Sequence, residues 1–99
     1  MSSIKLLKRA QVELRDACVW YETQQEGLSD RFLNELENCL KKIKLNPDFY
    51  PKKYDTFLHF APVKKFPFLI IYRFDERLDK IVVTSIFHTK RDPGKFKSE

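Results

Sequence analysis

The sequence predicts an α+β domain in which an N-terminal helix hairpin packs on a C-terminal antiparallel β-sheet. Two observations lead to this prediction. The apolar residues of the first half are spaced as in helices, and after Pro51 aromatic and β-branched residues become frequent, as in strands. The 99 residues are 42% hydrophobic and 33% charged, which suits one small core rather than a disordered chain. Helices followed by strands are typical of α+β architecture.

The first helix is predicted from apolar residues that recur on one helical face. These residues are Ala10, Leu14, Ala17, Cys18 and Tyr21. Gly27 follows and can end the helix by adopting a left-handed conformation. Ser29 and Asp30 then offer side chains suited to cap the next helix.

The second helix is predicted from a similar stripe, formed by Phe32, Leu33, Leu36, Leu40 and Ile43. Asn46-Pro47 ends it, because the residue before proline disfavours the helical conformation. Two helices joined by so short a turn must pack as an antiparallel hairpin, which covers about residues 8–46.

A β-meander is predicted over about residues 56–88. Its strands are Phe57–Phe66, Phe68–Phe74 and Ile81–Phe87. The middle strand is apolar on both faces and is therefore expected at the centre of the sheet, with a turn over 75–80 leading to the last strand. Pro62 and Pro67 confine the first strand to an edge. Ser3–Leu7 is a candidate for a further short strand.

The net charge of +5 comes entirely from residues 51–99, because residues 1–50 carry eight basic and eight acidic residues. A basic tail over 89–99 contributes to the excess, and within its stretch up to Lys97 four cations face only Asp92. Such an excess attracts phosphates or an acidic protein, although a solvated tail is the alternative interpretation. The candidate partner-binding or nucleic-acid-binding residues are Lys64, Lys65, Lys90, Lys95 and Lys97.

Several classes of protein do not fit the sequence. The longest apolar run, Phe66–Tyr72, is far shorter than the ~20 residues of a membrane-spanning helix, and the N-terminus lacks the apolar region of a secretory signal. We therefore expect a cytoplasmic protein without a cofactor or a metal. Cys18 and Cys39 lack metal-ligand spacing and are interpreted as reduced, buried thiols. Whether they lie close enough to oxidise stays open.

A candidate catalytic group lies at the end of the last strand. His88 could act as acid or base on RNA, with Arg73 on the adjacent strand and Arg91 bracing the phosphate. The alternative for His88 is a structural, hydrogen-bonded role. We interpret His59 as structural, because it lies between apolar residues without an adjacent charge partner, and Trp20 as packed in the core or at its rim.

Taken together, several segments resemble the RelE/ParE toxin superfamily, also known as plasmid stabilisation proteins. They are Ala17-Cys-Val-Trp-Tyr-Glu, Gln25-Glu-Gly-Leu, Phe32 with its leucine stripe, Ile43-Lys-Leu-Asn-Pro, Tyr50-Pro, Lys65-Phe-Pro-Phe-Leu-Ile-Ile-Tyr and Ile86-Phe-His-Thr-Lys-Arg-Asp-Pro. The resemblance runs from about Ala10 to Pro93 and implies a single toxin domain over residues 1–99.

This resemblance implies the toxin of a type II toxin–antitoxin module, which inhibits growth in the bacterial cytoplasm. It also implies an acidic antitoxin whose partly disordered segment folds on binding, with anchors in apolar grooves on the helices. The basic second half of the chain fits such a partner electrostatically. Whether the toxin associates with itself is left open.

The superfamily has two branches, and the resemblance favours one of them. RelE-like members are ribosome-dependent mRNA endonucleases that use basic side chains on the sheet and often a tyrosine near the C-terminus. ParE-like members inhibit DNA gyrase. Arg73, His88 and Arg91 resemble the basic set, but Phe96 stands where the tyrosine would be. We therefore predict a ParE-like gyrase inhibitor. The alternatives are a RelE-like nuclease and an inactive homologue that only binds antitoxin.

Overall fold

Two helices and four strands form the fold of the computed structural model, which describes residues 3–53 and 56–90. In chain order they are β1 (Ser3–Leu6), α1 (Lys8–Gln24), α2 (Leu28–Leu45), β2 (His59–Pro62), β3 (Phe68–Asp75) and β4 (Lys80–His88). The predicted helix hairpin and the predicted α+β class are confirmed. Within the described residues, no helix is both long and apolar enough to cross a membrane.

The sheet has the strand order β1-β4-β3-β2. Strands β2, β3 and β4 pair antiparallel as predicted, whereas β1 pairs parallel with β4, so the sheet is mixed rather than antiparallel throughout. Parallel pairing is possible here because β1 and β4 are joined by the whole intervening chain and not by a hairpin. The candidate strand at the N-terminus is therefore present.

The central position of β3 and the edge position of β2 agree with the sequence prediction. The edge strand is shorter than the predicted Phe57–Phe66, since β2 covers only His59–Pro62. Pro62 has no N–H to extend the ladder, and the chain turns after Val63, whose N–H donates to the carbonyl of Phe68 at 2.9 Å.

The turn between the helices differs in detail from the prediction. Gly27 is left-handed, with φ of 85°, but it is the N-cap of α2, so Ser29 lies inside the first turn. The Glu22 carboxylate of α1 accepts hydrogen bonds from the N–H groups of Gly27 (3.1 Å) and Ser29 and from the Ser29 hydroxyl (2.7 Å). These bonds hold the pKa of Glu22 below its ordinary value. A carboxylate from α1 thus takes the place of a local cap.

The main core lies between the helices and one face of the sheet. Its fully or nearly fully buried members are Ala10, Ala17, Phe32, Leu36, Cys39 and Ile43 from the helices, Ala61, Phe68, Ile70, Tyr72, Ile81, Val83 and Ile86 from the strands, and Val63 after β2. On the other face, Phe60, Ile71 and Phe87 form a second buried cluster. Because neighbours along a strand point to opposite faces, the apolar residues of β3 alternate between the two clusters.

An aromatic cluster joins the closed end of the hairpin to the turn between β2 and β3. Phe32 lies 5.1 Å from Tyr21, 5.2 Å from Phe66 and 5.0 Å from Phe68, measured between ring centroids. Phe68 in turn packs edge-on against His88 at 5.0 Å. The position of the histidine therefore depends on the packing of this cluster.

His59 has the structural role that we predicted. It is 4% exposed, donates from Nδ1 to the carbonyl of Tyr50 at 2.6 Å and stacks on Tyr72 at 4.9 Å. Its neighbours in sequence are uncharged, but the fold brings a carboxylate close, since its Nε2 lies 3.9 Å from Asp48 Oδ1. That carboxylate is eleven residues away in sequence, so inspection of adjacent residues could not find it.

The two cysteines are free thiols, Cys39 buried and Cys18 half-buried. Burial raises the pKa of both thiols, which favours the protonated form over the reactive thiolate. The Cys39 thiol donates to the carbonyl of Pro62 at 3.7 Å, which ties α2 to the edge strand.

Candidate functional site

Three cavities contain four of the five candidate residues that the structure describes, and Lys90 lines none of the three. The first, which we call the His88 cavity, has a volume of about 310 Å³ and lies between α1 and β4; it is lined by Glu13, Asp16, Ala17, Trp20, Phe68, Ile86 and His88. The other two contain Arg73 and the pair Lys64 and Lys65, respectively. The predicted site residues are thus distributed over separate surfaces.

His88 is half-buried at the end of β4, on the helix side of the sheet. Its Nδ1 accepts a hydrogen bond from the Lys90 N–H at 3.2 Å. Since a backbone N–H can only donate, this bond requires an unprotonated Nδ1 and leaves the proton of the neutral ring on Nε2. Lys90, a predicted binding residue, therefore positions the imidazole through its backbone.

Glu13 and Asp16 are carboxylates of this cavity that the sequence analysis did not single out, and Glu13 is the more buried of the two. Its side chain is 10% exposed, and its Oε1 accepts hydrogen bonds from the Ser85 hydroxyl at 2.7 Å and the Ile86 N–H at 3.1 Å. Arg9 Nε lies 3.7 Å from Oε2. The β1 ladder reaches only as far as Val83, so Glu13 supplies an acceptor to the edge of β4 beyond that point.

A signal for Glu13 was present in the helical spacing. It lies three residues after Ala10 and four before Ala17, both of which are buried, so it must face the core. Trp20 lies at the rim of the same cavity and is 59% exposed, which agrees with rim packing.

The lining of the His88 cavity is acidic and aromatic. Two carboxylates, Glu13 and Asp16, and the Trp20 indole line it together with the histidine. Carboxylates repel phosphate and an indole face attracts cations, so this cavity suits a positively charged group better than an RNA backbone.

Arg73 does not lie near His88. Arg73 is an exposed residue of β3 that pairs with Val82, whereas His88 pairs with Phe68. The five steps from Phe68 to Arg73 span about 17 Å of strand, and an odd number of steps puts Arg73 on the face away from the helices. Arg73 instead lines a cavity of about 390 Å³ with Lys5, Asp75 and Lys80.

Lys64 and Lys65 lie in the turn between β2 and β3. They face α2 and not His88, and the Lys65 Nζ lies 3.5 Å from Glu35 Oε2. Their cavity also contains Lys41 and Lys42, which the sequence analysis did not single out. The remaining predicted residues, Arg91, Lys95 and Lys97, lie outside the described part of the chain.

Metal ligation has no support in residues 3–53 and 56–90. No group of three or more histidine, cysteine, aspartate or glutamate side chains that could hold an ion is found there.

Comparisons with known proteins identify a related family and a related fold. The family model described as ParE toxin of type II toxin–antitoxin system, parDE, matches residues 4–93. A solved structure of the chromosomal ParDE TA system from P. aeruginosa is similar, with a TM-score of 0.65 and 14% identity over 91% of this chain and 98% of that chain. At that identity the likeness concerns the fold. No curated protein matches the sequence significantly.

Proposed function

The chain belongs to the ParE toxin family of type II toxin–antitoxin systems, and on this premise we propose that it inhibits growth by binding DNA gyrase in the bacterial cytoplasm. A cognate antitoxin neutralises it. In this role the chain is a protein ligand and not an enzyme, and it needs no cofactor.

The separation of Arg73 from His88 is the observation that supports a ligand over a nuclease. Cleavage of RNA at the 2′-hydroxyl requires a base, an acid and cationic groups around one phosphate. The two described members of the proposed catalytic set lie about 17 Å apart along β3 and β4, on opposite faces of the sheet. Two carboxylates, Glu13 and Asp16, line the cavity of His88.

Antitoxin binding is supported by charge and by exposed apolar side chains. The net charge of +5 favours an acidic partner. Val19 and Trp20 on α1 are each 59% exposed and Leu45 on α2 is 82% exposed, so both helices offer anchors for an amphipathic segment.

The gyrase proposal is tested with purified gyrase and relaxed plasmid DNA. We expect the purified chain to inhibit supercoiling, equimolar antitoxin to restore it, and the Arg73→Ala/His88→Ala double variant to inhibit like the wild type. A preparation that arrests growth but leaves supercoiling unchanged would refute gyrase as the target. A chain that binds antitoxin without arresting growth would be an inactive homologue.

Electrostatic steering of the antitoxin is tested by stopped-flow association at increasing salt. Exposed charges act mainly on the association rate, so we expect that rate to fall as salt rises while dissociation changes little. An association rate that does not depend on salt would mean that the basic residues do not face the antitoxin.

A further inference from the structure

The largest of the three cavities lies between the second half of α2 and the turn from β2 to β3. We call it the lysine cavity; its volume is about 500 Å³, and Lys41, Lys42, Lys64 and Lys65 line it together with one carboxylate, Glu35. Of these four lysines, only Lys65 forms an ion pair within the described residues, at 3.5 Å from Glu35. Three cations therefore remain available to an acidic ligand.

Apolar groups lie beside these cations. Leu45 lines the cavity and is 82% exposed, and Phe49, which is 69% exposed, packs edge-on against the lining residue Tyr50 at 5.0 Å. The buried thiol of Cys39 also lines the cavity. Large exposed apolar side chains next to a charged cavity mark a protein-interaction surface rather than a solvated face.

The conformation of Lys65 is a second unusual feature of this surface. Its φ is 71°, a left-handed conformation that glycine adopts readily and that strains the backbone of a lysine. The ion pair with Glu35 directs its side chain toward α2 and the cavity. Strain of this kind is found preferentially where the side chain has a function.

We propose that the lysine cavity binds an acidic, leucine-containing peptide segment of a partner protein. Glutamate or aspartate side chains of the segment pair with Lys41, Lys42 and Lys64, and an apolar side chain packs against Leu45. The proposal rests on the proposed function in one respect, because the antitoxin is then the partner that supplies the segment.

The lining favours a peptide over a nucleic acid. All four cations are lysines, which act as point charges and lack the planar fork with which arginine grips a phosphate. The exposed Leu45 contributes to binding only if the ligand has apolar side chains to bury against it. A sugar–phosphate backbone has none.

A peptide titration of the full chain tests the site. The probe is a fluorescein-labelled peptide with four Leu-Glu-Glu repeats, followed by fluorescence anisotropy. We expect the Lys42→Glu/Lys64→Glu variant to bind it at least about tenfold more weakly than the wild type, because two attractions become repulsions. Leu45→Ala should weaken binding about threefold or more through lost apolar contact.

Lys44→Glu is the matched control. Lys44 lies on the same last turn of α2 as Lys42, so reversing either charge has the same effect on the helix dipole. It lines a different groove, with Ile4 and Leu40. We expect Lys44→Glu to change the peptide affinity by less than about twofold at physiological salt.

Three results would overturn the inference. One is an equal loss in Lys44→Glu and in the single variant Lys42→Glu, which would indicate general charge attraction. Another is the absence of peptide binding by the folded wild type. The third is tighter binding of a 12-nucleotide RNA that depends on Lys42 and Lys64 and is unaffected by Leu45→Ala. Gyrase inhibition is measured in parallel, so that failure of the peptide site and failure of the proposed function give different results.

Discussion

The His88 cavity and the lysine cavity lie against different helices of the same hairpin and have opposite charge. The α1 side provides the carboxylates of Glu13 and Asp16, and the α2 side provides Lys41 and Lys42. The total of +5 conceals this difference, because it counts both regions together. A net charge therefore indicates that an acidic partner is attracted, whereas the fold determines which surface receives it.

The difference has a local cause in each helix. Glu13 on α1 lies where the edge of β4 offers an N–H and a hydroxyl beyond the end of β1, so a carboxylate there is stabilised by two hydrogen bonds. The last turn of α2 contains Lys42 and Lys44, where cations interact favourably with the negative end of the helix. The final turn of α1 has no basic residue.

Loss of the aromatic cluster should disturb both cavities at once and lower the free energy of unfolding more than any of the other substitutions. Phe32 is fully buried and contacts Phe66, next to the lysine cavity, and Phe68, in the His88 cavity. We expect Phe32→Ala to lower the free energy of unfolding in urea by about 3–5 kcal/mol. Val19→Ala, at a position that is 59% exposed, is the control and should change it by less than about 0.5 kcal/mol.

Loss of Glu13 should affect the His88 cavity alone. Glu13→Ala leaves the buried Ser85 hydroxyl and the Ile86 N–H without their acceptor, so we expect a destabilisation of about 1–3 kcal/mol in urea unfolding. Asp16→Ala, at an exposed position of the same cavity, should be nearly neutral. If both variants lose the same stability, the hydrogen bonds of Glu13 are not what holds α1 to β4. Peptide binding at the lysine cavity should be unchanged in both.

A comparison of two glycine substitutions tests the strain at the lysine cavity. Lys64→Gly introduces flexibility at an ordinary backbone position. Lys65→Gly introduces the same flexibility and also removes the backbone strain of a lysine with a φ of 71°. We expect the Lys65 variant to be more stable than the Lys64 variant by about 1 kcal/mol, after a small loss from its exposed ion pair. Thermal melts of the two variants check this, and the reverse order would exclude strain at Lys65.

The smallest effect is expected at the turn that joins the two helices. Hydrogen bonds from Ser29 and Gly27 lower the pKa of Glu22 in the folded state, so the folded chain binds fewer protons than the unfolded chain near pH 4. The contribution of Glu22 to the free energy of unfolding is therefore complete above the ordinary glutamate pKa of about 4.3. It is lost as the pH falls through the lower pKa that Glu22 has in the folded chain. Glu22→Gln should therefore lose less stability than the wild type on acidification.

Melting temperatures at neutral pH and at about pH 3 measure this difference. Glu26→Gln is the control, because Glu26 is exposed in the same turn. If the melting temperature of Glu22→Gln falls on acidification by as much as that of the wild type, the hydrogen bonds of Glu22 do not contribute to the pH dependence of stability. Ligand binding at either cavity should remain as in the wild type at neutral pH.

The helices and the central strand could be predicted from the sequence because each depends on the spacing of apolar residues close together in the chain. The apolar stripes predicted both helices, and the continuous apolar run that begins at Phe68 predicted the central strand. The parallel pairing of β1 with β4 could not be predicted, because the residues of Ser3–Leu6 do not indicate which strand lies beside them. Pairing at that distance is decided by packing of the complete chain.

The candidate site was predicted less well, for a geometric reason. His88 and Arg73 were correctly placed on adjacent strands, but their distance depends on the register, which pairs His88 with Phe68 and Arg73 with Val82. Likewise, Lys42 and Lys64 line the same cavity only because the β2–β3 turn lies against α2. The distribution of charge along the sequence cannot predict that these two residues lie on one surface.

Primer extension on messenger RNA in a translating extract tests most directly whether this ParE-family chain acts as a ligand rather than as a nuclease. The extract is incubated with the chain at a concentration that inhibits gyrase, and with the His88→Ala variant as control. We predict full-length extension products in both samples. Discrete cuts within ribosome-occupied codons that disappear with His88→Ala would contradict the proposal and establish a ribosome-dependent endonuclease.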